Sequence, residues 1–277
     1  MIYQEVLQMI TPEGYLSICG IKLDKQVLKY IAMNNNIKHL QLSDCGINDE
    51  DFIFFMQNNK NVTILDVSGN KITDDSMPYV SKHPAIVSLD LSDQTPGLTN
   101  GACSHLGKYN FESITLKTLS LSNNLIGDSG CLYLSRNTRL KELYLAGNSI
   151  TDVGVDCFSL NKSIETLSLS NNEVTSWGVR NFPVNNTITD LNMCLTKITD
   201  GGATAISQMK ALKNLNLSFT RISEAGAMML QALPKGEIVE IDGTISNPTM
   251  LFSQKFLKLQ GKPQKLPGYM SRDNPGM

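Results

Sequence analysis

Residues 140–154 read LKELYLAGNSITDVG, and residues 164–178 repeat the pattern as IETLSLSNNEVTSWG, 24 positions later. The shared kernel is a pair of apolar residues one apart, and it recurs along the chain. It stands at Leu40/Leu42, Leu65/Val67, Leu89/Leu91, Leu119/Leu121, Leu143/Leu145, Leu167/Leu169, Leu191/Met193 and Leu215/Leu217, with weaker copies at Leu16/Ile18 and Val239/Ile241. From Leu119 onward every step is 24 residues. Three positions after every pair but the first in the chain comes a small polar residue: Cys45, Asn70, Gln94, Asn124, Asn148, Asn172, Thr196, Thr220 and Thr244. Two further on stands an apolar residue such as Ile72, Ile126, Ile150, Val174 or Ile198, then a Thr/Ser-Asp pair, and a glycine recurs at Gly130, Gly154, Gly178, Gly202 and Gly226.

Alternation of period two predicts a short strand with its leucines on one face. The Asn or Thr that follows satisfies backbone groups left open by the turn. Thr-Asp suits a helix N-cap, and the glycine lets the helix approach its neighbour. A single unit of this size cannot bury its own leucines, so the units must stack. Stacking predicts a right-handed α/β solenoid with nine or ten parallel strands on its concave side and short helices on its convex side.

The string L-x-x-L-x-L-x-x-N-x-I-T-D-x-G, seen from Leu140 to Gly154, resembles the leucine-rich repeat. Its 24-residue form resembles the GALA-type repeats of bacterial effectors and the cysteine-containing repeats of eukaryotic F-box proteins. That resemblance spans about residues 13–247. It implies a binding scaffold, and the scaffold carries many different partners. Neither an F-box-like segment before the array nor a large catalytic domain after it is expected.

The sequence predicts an N-terminal cap over residues 1–15, a solenoid over 16–247, and a C-terminal cap helix with a basic tail over 248–277. Phe252, Phe256 and Leu259 carry the helical spacing of that cap. The tail has the basic residues Lys255, Lys258, Lys262, Lys265 and Arg272 against Asp273, and it reads as a solvated tail, an address signal or a basic arm. From Leu89 to Leu119 the step is longer than elsewhere, with extra residues near Pro96 and between Tyr109 and Thr115. Such an insert is either a tolerated loop or part of a functional face. Pro78 and Pro183 should shorten or bend their helices.

Bulk properties narrow the function classes. The chain has 277 residues, 41% of them apolar, and a formal net charge of -2, so it folds around a core and has no overall basicity pointing to nucleic acid. Its first residues do not read as a secretory leader, and no apolar run is long enough to predict a membrane span. The six cysteines show no C-x-x-C pair or zinc spacing and read as free thiols of a reducing, cytoplasmic compartment, of the bacterium's host if the effector resemblance holds. His39, His83 and His105 form no metalloprotease or nucleophile motif, and the glycines recur once per repeat rather than as a phosphate cradle. Cys103 and His105, two apart, point different ways on a short helix. Neither an enzyme nor a bound cofactor or metal is expected.

The outward strand positions are the residue before the first core leucine, the one between the pair, and the two after. They hold Asp44, Asp66, Asp90, Asp93, Glu142, Asp190, Glu240 and Asp242 with one histidine, His39, and no Lys or Arg. Lys38, Lys117, Lys141 and Lys213 stand one residue earlier, toward the rim. Like charges in one register position oppose folding, so an acidic sheet face suggests use. The partner-binding set expected from this pattern is Asp44, Asp66, Asp90, Asp93, Glu142, Tyr144, Asp190, Asn192 and Phe219, facing a protein with a basic surface rather than nucleic acid or membrane, in a monomer. Trp177, the only tryptophan, is either a further anchor or a cover for the next repeat. The competing functions are a substrate-recognition adaptor of ubiquitin machinery and a small-GTPase regulator.

Overall fold

The computed structural model describes residues 3–107, 115–233 and 238–241. Ten three-residue strands form one parallel sheet in chain order: β1 Tyr15–Ser17, β2 His39–Gln41, β3 Ile64–Asp66, β4 Ser88–Asp90, β5 Thr118–Ser120, β6 Glu142–Tyr144, β7 Thr166–Ser168, β8 Asp190–Asn192, β9 Asn214–Asn216 and β10 Ile238–Glu240. Each strand centres on the first leucine of its pair, and the register joins Leu16, Leu40, Leu65, Leu89, Leu119, Leu143, Leu167, Leu191 and Leu215 in one row. Every one of these side chains is at most 3% exposed. Between strands the chain returns through helices such as Lys25–Met33, Asp49–Asn58 and Asp128–Ser135. Helices pack ~8–10 Å apart and strands ~4.8 Å apart, so the helical side must be the outer one and the open sheet face the inner one. A helix, Tyr3–Met9, precedes β1. The cap helix and basic tail expected over 248–277 lie outside the described residues, as does most of the insert between Tyr109 and Thr115.

Three ladders of polar side chains hold neighbouring repeats together. In the first, Asn172 Oδ1 accepts from Ile150 N at 3.1 Å in the preceding repeat, while its Nδ2 donates to Leu145 O at 2.8 Å and Leu169 O at 3.1 Å. Asn70, Asn124 and Asn148 repeat this arrangement, and Gln94 does so with a longer side chain. The second ladder sits where helix returns to strand. Asn59, Asn137, Asn161 and Asn185 each accept from two backbone amides ahead and donate to carbonyls of the preceding repeat, as in Asn185 Nδ2 to Phe158 O at 3.1 Å. In the third, an Asp in the first helical turn caps the next repeat. Asp128 accepts from Thr151 N at 2.8 Å and Thr151 Oγ1 at 2.7 Å, and Asp49, Asp152 and Asp200 do the same for Thr73, Thr175 and Ser223. Each amide or carboxylate thus replaces water for backbone groups that stacking would otherwise strand, which is costly when buried.

The third ladder also explains the recurring glycine. A Cβ on Gly154 would lie 2.6 Å from Asp128 Oδ1 and 3.0 Å from Asp128 Cα, inside the carboxylate that caps the helix. The two prolines act as expected. Phe182–Val184, containing Pro183, is a single 3₁₀ turn, and Pro78 sits in a four-residue helix, Met77–Val80. Near Pro96 the chain regains its register at Leu98, which is fully buried and whose backbone N–H donates to Asn124 Oδ1 at 2.9 Å.

Candidate binding surface

The open sheet face is built from the outward residues of the strands. Register places Asp66 beside Asp90 on adjacent strands, a separation of ~4.8 Å between backbones. Their carboxylates are half tied down. Asp66 Oδ1 accepts from Ser68 N at 2.9 Å and Ser68 Oγ at 2.7 Å, and Asp90 Oδ1 from Ser92 N at 2.9 Å and Ser92 Oγ at 2.6 Å. Burial pushes the Asp90 carboxyl up to about 6, with the Asp66 charge adding to it and the Ser92 bonds opposing it. Glu142 receives the Tyr144 hydroxyl at 3.1 Å, and Tyr144 keeps only 8% of its surface. Asp190 accepts from Thr189 Oγ1 at 2.5 Å and from Asn214 Nδ2. Asn192 Oδ1 is held by Cys194 N at 3.0 Å, and Glu240 accepts from Asn216 Nδ2 at 2.6 Å. His39 is exposed at the opposite end of the sheet. Lys141, on the rim, pairs with Glu165 at 2.5 Å and so does not neutralise the sheet face.

Asp44, Asp93 and Phe219 stand apart from that face, in a row one turn beyond the strands. Here the backbone enters the left-handed region: Gly20, Asp44, Gly69, Asp93, Asn123, Gly147, Asn171, Leu195 and Phe219 all have φ between 52° and 71°. Gly, Asn and Asp adopt this conformation cheaply, whereas a residue such as Leu or Phe pays ~1 kcal/mol or more. Leu195 and Phe219 also leave 55% and 57% of their surface in water. They border an open groove of about 400 Å³ that includes Asn171, Glu173, Lys197 and Arg221. The groove spans the point where the first ladder changes from Asn to Thr. Thr196 and Thr220 keep the bond within their own turn, to Met193 O at 2.6 Å and Leu217 O at 2.7 Å.

The family model described as the leucine-rich repeat matches residues 34–54, 58–77, 112–135, 136–159 and 184–207, five units in phase with the strands above. The chain is a leucine-rich-repeat protein. Its architecture is that of a protein-interaction scaffold. Among solved structures it is similar to an internalin C2 from Listeria monocytogenes, with 21% identity over 79% of this chain and 84% of that one and a TM-score of 0.54. At that identity the likeness is one of fold. No curated protein matches it in sequence.

Elsewhere on this leucine-rich-repeat protein, Trp177 is 66% exposed, with the Arg180 guanidinium 4.3 Å above its ring. Val153, 69% exposed, holds the same position in the preceding repeat. All six cysteines are free thiols. Cys45 fills its ladder slot by donating to Ile18 O at 3.0 Å, and burial pushes its thiol up to about 11. Cys103 is fully buried, and burial likewise raises its thiol and keeps it protonated. Among the described residues no group of three His, Cys, Asp or Glu side chains is placed to hold a metal, and no helix is long and apolar enough to cross a membrane. Sequence reasoning missed Leu195. The signal was present, since its row elsewhere holds only Gly, Asn, Asp and Phe219.

Proposed function

We propose that this protein binds a partner protein with a basic surface across the concave face of its sheet. The observation that carries this is the in-register pair Asp66 and Asp90, with Glu142, Asp190 and Glu240 on the same face and no lysine or arginine at any outward strand position between β1 and β10. A uniformly acidic patch steers a basic partner and gains strength as water is excluded on contact. Asp44 and Asp93 extend the negative field along the left-handed turn row, and Tyr144 and Asn192 shape its floor. Free thiols fit a reducing compartment, and resemblance to GALA-type repeats suits an effector working inside a host cell.

The test replaces Asp66, Asp90 and Asp93 together by Asn and measures affinity for the identified partner at two salt concentrations. Asn retains the shape and the Ser68 and Ser92 hydrogen bonds, so the fold is kept. Affinity about tenfold weaker at low salt, with a shallower salt dependence, supports the proposal. Unchanged affinity with an intact fold refutes it and moves the binding surface elsewhere.

A further inference from the structure

We infer that the groove between Leu195 and Phe219 is a second docking site, and that it takes an extended peptide carrying an apolar side chain and a carboxylate. This rests on different residues from the acidic sheet face and stands or falls separately. Three observations converge on it.

Leu195 and Phe219 both occupy the left-handed turn row, where seven other repeats use Gly, Asn or Asp. Folding alone favours those smaller residues twice over, because they relieve the backbone and remove apolar surface from water. Both departures fall in adjacent repeats and open on the same groove.

The charges around it select the occupant. Lys197 is already satisfied by Glu173. Arg221, exposed at the end of the groove, has no carboxylate within ion-pair reach among the described residues. The guanidinium is a fork suited to a carboxylate. An apolar pair ending in an uncommitted arginine therefore fits an apolar-acidic segment and repels a basic one. This is the opposite chemistry to the sheet face, so one surface does not substitute for the other. In an extended peptide, residues two apart point to the same side, which lets one side chain lie between Leu195 and Phe219 while the next but one reaches Arg221.

The experiment uses the full chain, isotopically labelled, and a short capped peptide with a phenylalanine two residues before an aspartate. Two control peptides carry asparagine or lysine in place of the aspartate. Amide shifts of residues 171–173, 195–197 and 219–221 are followed on titration. The expected result is shifts confined to these segments, with affinity at least fivefold lower for the asparagine peptide and lower again for the lysine peptide. L195N/F219N should abolish binding while its melting temperature rises by about 3 °C or more, as relief of two strained positions demands. Arg221→Gln, an exposed change that leaves the core alone, should bring the aspartate peptide down to the asparagine level. Asp66→Asn/Asp90→Asn should leave peptide binding intact. The inference is overturned by equal affinity for all three peptides, by no shifts at millimolar peptide, or by binding that survives L195N/F219N. It is equally overturned if sedimentation shows self-association that this variant removes, because the groove then belongs to a second copy.

Discussion

Asp90→Asn should stabilise the protein at neutral pH and do nothing for it in acid. Asp90 stands beside Asp66 in register, and burial lifts its carboxyl from 3.8 to about 6. Between those pH values the folded state holds a proton that the unfolded state releases. Stability therefore falls as pH rises through this window, and the folded protein carries the full penalty above about pH 6. For a carboxyl sealed from water a rise of that size is worth about 3 kcal/mol. Asp90 is only partly buried, and solvent screening brings the expected gain from neutralising it to about 1 kcal/mol. Asn keeps an oxygen for Ser92 N and Oγ, so both of those hydrogen bonds remain. Urea unfolding of both proteins at pH 7.5 and pH 4 measures the difference directly. The variant should be more stable by about 1 kcal/mol at the higher pH and equal to the parent at the lower one. A gain of the same size at both pH values, or a loss at pH 7.5, refutes the charge argument and leaves Asp90 as an ordinary strand residue.

Four further outcomes are expected. His83 replaces Asn in the second ladder, with Nδ1 accepting from Ala85 N and Ile86 N at 3.3 Å and Nε2 enclosed without a hydrogen-bond partner among the described residues. Burial, helped by Lys60 and opposed by the Asn59 backbone, holds its pKa down at about 4, so stability present above about 6.5 is lost as pH falls toward 4. His83→Asn should flatten that part of a stability–pH curve, and an unchanged curve would assign the acid sensitivity to other groups. Gly154→Ala gains about 1 kcal/mol of helix propensity but drives a methyl against Asp128 Cα, a backbone atom that cannot rotate away; thermal melting should show a net loss of about 1 kcal/mol, overpacking being the larger effect. Asn172→Ala strands Ile150 N and two carbonyls and should cost about 3 kcal/mol in chemical denaturation, against a smaller cost for Asn172→Thr, which keeps the bond within its own turn. Alkylation without reductant should find six free thiols after denaturation, with Cys19 reacting first in the native protein and Cys103 and Cys131 last; fewer than six would place the protein in an oxidising compartment.

The sheet was legible because its signal is redundant. Leucine pairs at a fixed step name both the strand and the buried face, and the register of all ten strands follows from stacking equal units. The first ladder was legible for the same reason. The second was not, although Asn59, Asn137, Asn161 and Asn185 keep a constant offset from the following strand, because a single Asn at a helix end already has a local use as a terminator. By its spacing the Thr-Asp pair predicts a cap for its own helix. Thr151 does cap its own helix, by accepting from Val153 N, but Asp128 reaches into the next repeat, a contact that exists only once repeats stack. Burial of Tyr144 was also out of reach of the pattern. Its register neighbours are Ser120 and Ser168, small side chains that leave room for the ring beside them.

Asp90, Leu195 and Phe219 share one property: at each, folding physics prefers a different residue, and the preferred residue is already used by a sister repeat. Ser120 and Ser168 show that the Asp90 position accepts an uncharged side chain, and Asn123 and Asn171 show the same for the turn row. The buried leucines show no comparable departure, and the ladder replacements at His83, Thr196 and Thr220 are all buried. The costs are thus concentrated where the repeats face outward on the sheet side and its adjoining turns. If these positions were drift, relieving them one at a time would raise stability and leave partner affinity untouched. If they are binding positions, Asp90→Asn and Phe219→Asn each raise stability and each lower affinity, for different partners or for separate parts of one. Measuring both quantities on the same two variants separates drift from use, because only use couples them with opposite sign.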